Sequence, residues 1–476
     1  MSKAAYMGVG GTARKVKKMY VGVNGTARKV KKAYIGVGGV AKLFYSSGLD
    51  FSNAKVTFTT GPQNDSMGGY GGGIVLDNGT ILMHGYNYAY GSGITWSDNG
   101  KHRYNNKTTN ICRSTDNGYT WSEITLPEIC AYEGSATILK FVSSGSNVIA
   151  FPRVIGTIYD RVEYLSQTKH YWVSHDYGAT WSIVDISNFA YGSNCGLNNI
   201  YGGDCFIALQ RVISSKIEES NGIITKSTDG VNWTSVSTSD LGINYYYAAS
   251  TRLLASATAL FTNGKYWFII ASVHNRDTYD TRFDIYRSDA PQSPYTKIAT
   301  IPFNAEALKI YNGDSIASAQ YLNTFIASYA AHSADGQKII LSMNNVIGDY
   351  YNNNSDHYYY ILSTDGGMNW EVVRNNNRGD YIYHISCNDD IFIRAIANHT
   401  TKIIRVESSD NGKDWAGIDI EQNNLLYCES TAIDILQCKD GHYIINTNGY
   451  YYQDYDDGEY YWIGDHNPLK IAHIHI

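Results

Sequence analysis

Proline is scarce, with 7 in 476 residues, and cysteine is equally rare, also 7, with no Cys-x-x-Cys pair. An odd set without paired spacing (Cys112, Cys130, Cys195, Cys205, Cys387, Cys428 and Cys438) reads as small buried apolar side chains, not as a zinc or disulfide framework. No apolar run approaches the roughly 18 residues of a membrane span, so no membrane partner is expected. The N-terminus lacks the apolar stretch of a secretory signal, so synthesis in the cytoplasm is the expectation. No convincing amphipathic helix is present. Charged residues make up only 17%, too few for disorder by charge. What is abundant is glycine, 45, and tyrosine, 42, the residues of turns and of half-buried pleated surfaces. The composition is that of an all-β chain.

Acidic residues are missing altogether from residues 1–49, which carry ten Lys and Arg. With a whole-chain charge of −6, residues 50–476 stand at −16. A basic leader on an acidic body implies two jobs and two partners. The leader is nearly a triplicate: Tyr6, Tyr20 and Tyr34 are 14 apart, as are Gly8, Gly22 and Gly36. Gly10-Gly11, Asn24-Gly25 and Gly38-Gly39 are two-residue hairpin signals. They set Val23 opposite Thr26 and, further along, Lys18 opposite Lys31 and Lys17 opposite Lys32. Like charges so opposed are unfavourable, so either the arms bend there or the lysines meet an acidic partner. A lone meander of this kind has no buried face of its own. It needs a symmetry mate, a neighbouring protein or the edge of the body. Nucleic acid is the weaker partner for it, because aromatic interleaving is modest and the body is acidic.

The body repeats a different phrase. STDNGYTW (114–121), SHDYGATW (174–181), STDGGMNW (363–370) and SSDNGKDW (408–415) share S-x-D-x-G-x-x-W, and STDGVNW (227–233) is one residue shorter. RSDAPQSPY (287–295) is a worn copy. Each lies between alternating apolar runs. The Asp accepts hydrogen bonds from its own turn, the Gly takes positive φ, and the Trp packs back on the sheet. Asp116, Trp121, Asp176, Trp181, Asp229, Trp233, Asp365, Trp370, Asp410 and Trp415 are therefore structural staples, not chemistry. Counting Asp289, successive Asp positions average about 59 residues apart, which suits a four-stranded propeller blade with a generous loop.

These phrases resemble the Asp-box, or bacterial neuraminidase repeat. That family's boxes mark the hairpin between the third and fourth strands of β-propeller blades, in sialidases, sortilin-like receptors, xyloglucanases and many non-enzymatic propellers. The resemblance covers roughly residues 60–476 and implies fold more than activity. Six boxes and one further blade after Asp410, with strands TAIDIL, YIINTN, YYWIGD and KIAHI, give a seven-bladed β-propeller over residues 50–476; six blades is the alternative. KVTFT (55–59) is placed to close the ring by pairing with the last blade.

In such a meander the first and third turns share one face. They are short here: 77–79, 263–265, 388–390, 439–441 and the boxes. The second turns, on the other face, are long: 86–107, 345–360 and 449–461, and the connection 239–250 joins them. Their Tyr, Asn, Ser and Asp content is that of a recognition surface, large rigid rings with adaptable polar groups. The candidate glycan-binding residues are Tyr88, Tyr90, Trp96, Tyr104, Tyr245, Tyr246, Tyr350, Tyr351, Tyr451, Tyr452 and Tyr455.

Active sialidases, which the boxes resemble, clamp a carboxylate with three arginines, the first on the first strand. Here no arginine occurs from 43 through 102. Arg153 comes a blade late, and Arg252, Arg282, Arg287, Arg394 and Arg405 are scattered strand residues. The carboxylate clamp is thus incomplete. Another glycosidase would need two carboxylates across the cleft, with Glu133, Glu163, Glu306, Glu407 and Glu429 as candidates. Asp454, Asp456, Asp457 and Glu459 are dense in carboxylate but lack a calcium-loop pattern. His466, His473 and His475 read as strand histidines, not metal ligands. No cofactor is expected.

Basic leaders of the KKAYIGVGGVAK kind resemble those of tail and baseplate proteins of phages and prophages of Gram-positive gut bacteria. That resemblance covers about 45 residues. It implies a virion protein whose residues 1–49 dock through Lys17, Lys18, Lys31 and Lys32 onto other tail or baseplate proteins. A homo-oligomer is compatible with it, and the propeller would bind host-surface glycan. A particle-borne glycosidase and a ligand-free decoration are the alternatives.

Overall fold

The computed structural model describes residues 51, 54–60, 70–85, 110–127, 137–153, 170–185, 196–211, 222–243, 253–275, 281–303, 326–344, 359–374, 380–388, 390–398, 403–421, 434–446 and 470–476, together with the strand segments 6–9, 12–15, 20–23, 26–29, 32–37, 40–46, 94–96, 102–104, 451–456 and 459–464. The leader strands are β1 (Tyr6–Val9), β2 (Thr12–Lys15), β3 (Tyr20–Val23), β4 (Thr26–Lys29), β5 (Lys32–Val37) and β6 (Val40–Ser46). They pair as three separate hairpins. The two-residue turns set Val9 opposite Thr12, Val23 opposite Thr26 and Val37 opposite Val40. The described part of the second ladder runs to Tyr20 opposite Lys29. Lys32 lies in the third hairpin, opposite Ser46.

Seven four-stranded antiparallel sheets follow. Blade 1 is β8 (Tyr70–Val75), β9 (Ile81–Gly85), β12 (Asn110–Ser114) and β13 (Ser122–Thr125); β10 (Ile94–Trp96) and β11 (His102–Tyr104) form a separate hairpin inside its second turn. Blade 2 is β14 (Thr137–Ser144), β15 (Asn147–Arg153), β16 (His170–Ser174) and β17 (Ser182–Asp185). Blade 3 is β18 (Gly196–Tyr201), β19 (Phe206–Arg211), β20 (Gly222–Ser227) and β21 (Thr234–Ser237). Blade 4 is β22 (Leu253–Thr262), β23 (Trp267–Asn275), β24 (Thr281–Ser288) and β25 (Thr296–Phe303). Blade 5 is β26 (Ile326–His332), β27 (Ile339–Asn344), β28 (Tyr359–Ser363) and β29 (Glu371–Arg374). Blade 6 is β30 (Asp380–Asn388), β31 (Ile391–Asn398), β32 (Ile403–Ser409) and β33 (Ala416–Glu421).

Blade 7 takes β34 (Asp434–Gln437), β35 (Tyr443–Asn446) and β38 (Lys470–His475), and its fourth strand is β7 (Lys55–Thr60), from the other end of the chain. This corrects one expectation. YYWIGD is not the blade's third strand: β37 (Glu459–Gly464) pairs with β36 (Tyr451–Asp456) in a hairpin of its own, and KIAHIH supplies the third strand. The reason is local. The Asp457-Gly458 pair is a two-residue turn signal between two Tyr-rich arms, which pair with each other.

First strands lie side by side around the ring, β8 beside β14, β22 beside β26, β26 beside β30, β30 beside β34, and β34 beside β8 again. Seven apolar clusters fill the seven seams, for example Leu82, Ile111, Phe141 and Trp172 between blades 1 and 2, and Ile81, Met83, Leu436, Ile444 and Ile471 between 7 and 1. Phe51, fully buried, is built into the seam of blades 6 and 7 against Tyr443. Strand residues pointing to opposite sides serve opposite seams, which is why the runs read as continuous apolar stretches. Blades 1–6 each carry a bulge between first and second strands. A bulge of this kind bends and twists the strand that bears it.

Candidate functional site

One face of the ring is closed by staples. In blade 1, Ser114 Oγ donates to Asp116 Oδ1 (2.8 Å) and accepts from Gly118 N (2.9 Å). Asp116 also accepts from Thr120 N (2.9 Å) and Thr120 Oγ1 (2.6 Å), and Trp121 Nε1 donates to Gly118 O (2.9 Å). Blade 2 repeats this with Ser174, Asp176, Thr180 and Trp181, and blade 5 with Ser363, Asp365, Asn369 and Trp370. In these three turns the residue before the key glycine is left-handed: Asn117, Tyr177 and Gly366. Each tryptophan packs into the seam with the preceding blade, Trp121 at 7/1, Trp181 at 1/2 and Trp370 at 4/5. The key glycine sits there too. A Cβ on Gly178 would meet Leu82 of blade 1 at 2.7 Å, and one on Gly367 would meet Phe268 at 2.6 Å. Positive φ and close approach both demand glycine. Burial acts to raise the carboxyls of Asp116, Asp176, Asp229 and Asp365, but the hydrogen bonds they accept more than offset it and hold them below the usual range.

Two turns are short. In blade 3, Ser227 and Asp229 hold the turn, with Asn232 Nδ2 donating to Asp229 Oδ2 (2.7 Å). Blade 6 corrects the expectation for Asp410. The acceptor is Asn411, one residue later: Ser409 Oγ donates to its Oδ1 (3.0 Å), and Lys413 N and Asp414 N donate to the same atom. Asn411 Nδ2 then donates to Asp414 Oδ2 (2.7 Å), the blade 3 pair with acid and amide exchanged. Asp410 contributes its carbonyl, to Lys338 Nζ. In both short turns the tryptophan donates outward, Trp233 to Tyr171 OH (2.8 Å) and Trp415 to Tyr360 OH (3.2 Å). Those hydroxyls donate in turn to Gly230 O and Gly412 O, both at 2.7 Å. Each is a clasp between neighbouring blades. Burial drives both phenols' pKa upward, so they stay protonated donors. Sequence reading missed these tyrosines, and it missed a similar Ser333–Asp335 staple in a first turn of blade 5.

The worn copy keeps a turn without its carboxylate. Ser288 Oγ donates to Ser293 O, and Tyr295 replaces the tryptophan in the 3/4 seam. Blade 7 has no box, because its third and fourth strands are not joined in sequence. Histidines hold them instead. His473, fully buried on β38, contacts Thr59 Oγ1 of β7 (2.7 Å) and His442 Nε2 (3.0 Å), and His442 Nδ1 meets Asp440. Tyr119, from the blade 1 staple, stacks on His473 at 4.6 Å. Desolvation, then the neighbouring His442 and His475, lowers His473 to about 4, against the pull of Asp440 and Asp116. His466 lies outside the described residues, and among the described residues no metal-holding cluster forms.

The opposite face carries the long second turns. Tyr88, Tyr90, Tyr245, Tyr246, Tyr350 and Tyr351 lie outside the described residues, as do Lys17, Lys18 and Lys31. The long turn of blade 5, read as 345–360, ends before Tyr359 and Tyr360, which belong to β28; Tyr360 is 2% exposed and is seam, not surface. Two further hairpins, β10–β11 and β36–β37, arise on this face from ring-adjacent blades 1 and 7. Ile94 is opposite Tyr104, and Trp96 is opposite His102. In the other, Tyr455 is opposite Tyr460, Gln453 opposite Trp462 and Tyr451 opposite Gly464. Tyr452 is opposite Ile463.

Arg282, Arg287, Arg394 and Arg405 each have a partner within their own blade. Arg282 and Lys297 flank Asp284, Arg405 pairs with Asp419, and Arg287 lies over Tyr266. Arg394 meets Glu407 at 2.6 Å and stacks over Trp415 at 4.1 Å. Glu407, 7% exposed on a third strand, is thereby a structural carboxylate and leaves the catalytic candidates. Glu133, Glu163, Glu306 and Glu429, with Arg252, lie outside the described residues.

No protein-family model matches this chain, and no curated protein matches it. Solved structures do. A protein of unknown function from Dyadobacter fermentans DSM 18053 aligns at 11% identity and TM-score 0.39, over 88% of this chain and 99% of that one. The β-propeller domain of the Trilobed protease from Pyrococcus furiosus, which has an open velcro topology, aligns at 11% and 0.41, over 85% and 97%. The Hadza microbial sialidase Hz136 aligns at 12% and 0.37, over 91% and 70%. At such identities and TM-scores the activities of these proteins do not transfer to this one.

Proposed function

We propose that this chain is a carbohydrate-directed propeller, mounted through its basic residues 1–49 on a phage tail, a baseplate or a similar particle, where it contacts host-surface glycan. The supporting observation is the asymmetry of the ring. Short staples close one face, and the other bears two additional hairpins on adjacent blades, rich in Tyr and Trp. Binding rests on aromatic rings against sugar C–H faces with amide and hydroxyl groups at the edges. A glycan array with the full chain tests it, run beside a hydrolysis assay on the glycans retained. Retention without product is expected. Silence in both assays leaves a ligand-free decoration and overturns the reading.

Hydrolysis at the same face is the second reading. What favours it is where the remaining carboxylates fall in the chain: Glu133 between β13 and β14, Glu163 between β15 and β16, Glu306 between β25 and β26, Glu429 between β33 and β34. All four segments leave from strand ends on the elaborated face. Product release in the assay selects this reading. The mount has its own test. Replacing Lys17, Lys18, Lys31 and Lys32 together by Glu should abolish particle incorporation and leave glycan retention intact.

A further inference from the structure

Six blades join their third and fourth strands by a continuous turn; blade 7 joins β38 to β7 by strand pairing alone, across 414 residues between His473 and Thr59. Along that pairing runs a hydrogen-bonded chain, Thr59–His473–His442–Asp440. We propose that this chain is an acid-sensitive clasp that holds the propeller ring closed and loosens the N-terminal strand as pH falls.

The proton count carries it. With both imidazoles neutral, Thr59 donates to His473 Nε2, His473 Nδ1–H donates to His442 Nε2, and His442 Nδ1–H donates to Asp440. Every group is satisfied. One added proton is also accommodated. The middle bond reverses, His442 Nε2–H donating to His473 Nδ1, and His473 Nε2–H then donates to Thr59. A second proton is not accommodated, because two N–H groups would face each other across the 3.0 Å gap. The unfolded or detached strands have no such limit. The surroundings do not relieve it. His475 stacks on His442 at 5.0 Å, Tyr119 covers His473, and Asp440 and Asp116 are the carboxylates nearby; Lys55, opposite His475 in the register, adds like charge.

The sign follows. His473 titrates below the ordinary histidine value, so its contribution is full above about 6.5 and is lost as pH falls toward about 4. Over that window one proton of difference changes the opening equilibrium by up to about tenfold per pH unit. Since β7 is the strand nearest the leader, acid would loosen the join between mount and ring.

Hydrogen exchange on the full chain, at pH 7 and pH 5 and corrected for intrinsic rates, tests this. Protection of 55–60 should fall by about tenfold or more, while β23 and β24 of blade 4 change by less than about twofold. A second arm uses His473→Gln, whose amide neither titrates nor charges: the pH dependence of 55–60 should vanish. Should that variant not fold, nuclear magnetic resonance of the wild-type imidazoles substitutes, with His473 titrating well below the ordinary histidine value, toward about 4. Unchanged protection of β7, a fall matched by blade 4, or retained pH dependence in the glutamine variant overturns the proposal.

Discussion

Long and short staples occupy the same place in their blades and solve one problem differently. In the long form, at blades 1, 2 and 5, a left-handed residue precedes the glycine, and the tryptophan is satisfied by that glycine's carbonyl. In the short form, at blades 3 and 6, that residue is missing, and a tyrosine of the preceding blade bridges tryptophan and carbonyl. The long turn is self-contained, whereas the short one is completed by its neighbour. Local economy is exchanged for coupling between blades.

The largest expected effect breaks that coupling. Tyr171→Phe or Tyr360→Phe strips a buried carbonyl and an indole N–H of their partner at once. Each should cost about 2–3 kcal/mol, read as a lower urea midpoint by tryptophan fluorescence. No change in either variant would mean that the bridging hydroxyl is idle.

A smaller effect tests the exchanged pair. Asp229→Asn sets two amide donors face to face and should cost about 1–2 kcal/mol. Adding Asn232→Asp recreates the Asn411–Asp414 arrangement of blade 6 and should recover most of the loss. A double variant as weak as the single one would sink the equivalence of the two turns.

Acid should separate the staples further. The carboxyls of Asp116, Asp176, Asp229 and Asp365 are held low in the fold. Their contribution is therefore present above the ordinary aspartate value near 3.8 and is lost as pH falls through the folded values. In the Asn411 staple the backbone N–H groups donate to an amide oxygen, which does not titrate. Below pH 3.8, exchange protection at 409–415 should outlast that at 174–181; equal loss would contradict the assignment. The smallest effect belongs to the worn copy. Asp289→Ala should change the unfolding midpoint by no more than about 0.5 kcal/mol, since Ser288 holds that turn.

Much of this was legible beforehand, because it is local. Ser, Asp, Gly and Trp at fixed spacing specify a turn without reference to anything distant, and their recurrence counted the blades. The closing role of 55–59 was readable as an unpaired apolar alternation. The third strand of blade 7 was not, since YYWIGD alternates as well as KIAHIH does, and only pairing partners separate them. SSDNGKDW was ambiguous in the same way. It contains two serines and both Asp410 and Asn411, and either serine gives a plausible staple.

Sequence alone determined an all-β chain, the recurring staples, a basic leader with three hairpin turn signals, and a ring of seven blades with six as the alternative. The tertiary structure decided how each short staple is completed. A tyrosine three residues before the box serine, Tyr171 or Tyr360, is followed by a short turn in the next blade; Ile111 and Ile285 at the corresponding positions are followed by a long turn and, in blade 5, another long turn. The hydroxyl that completes a short turn is about 60 residues away in the chain and 2.7 Å away in the fold. No local pattern records that proximity; it exists only once two blades have packed and shut out water.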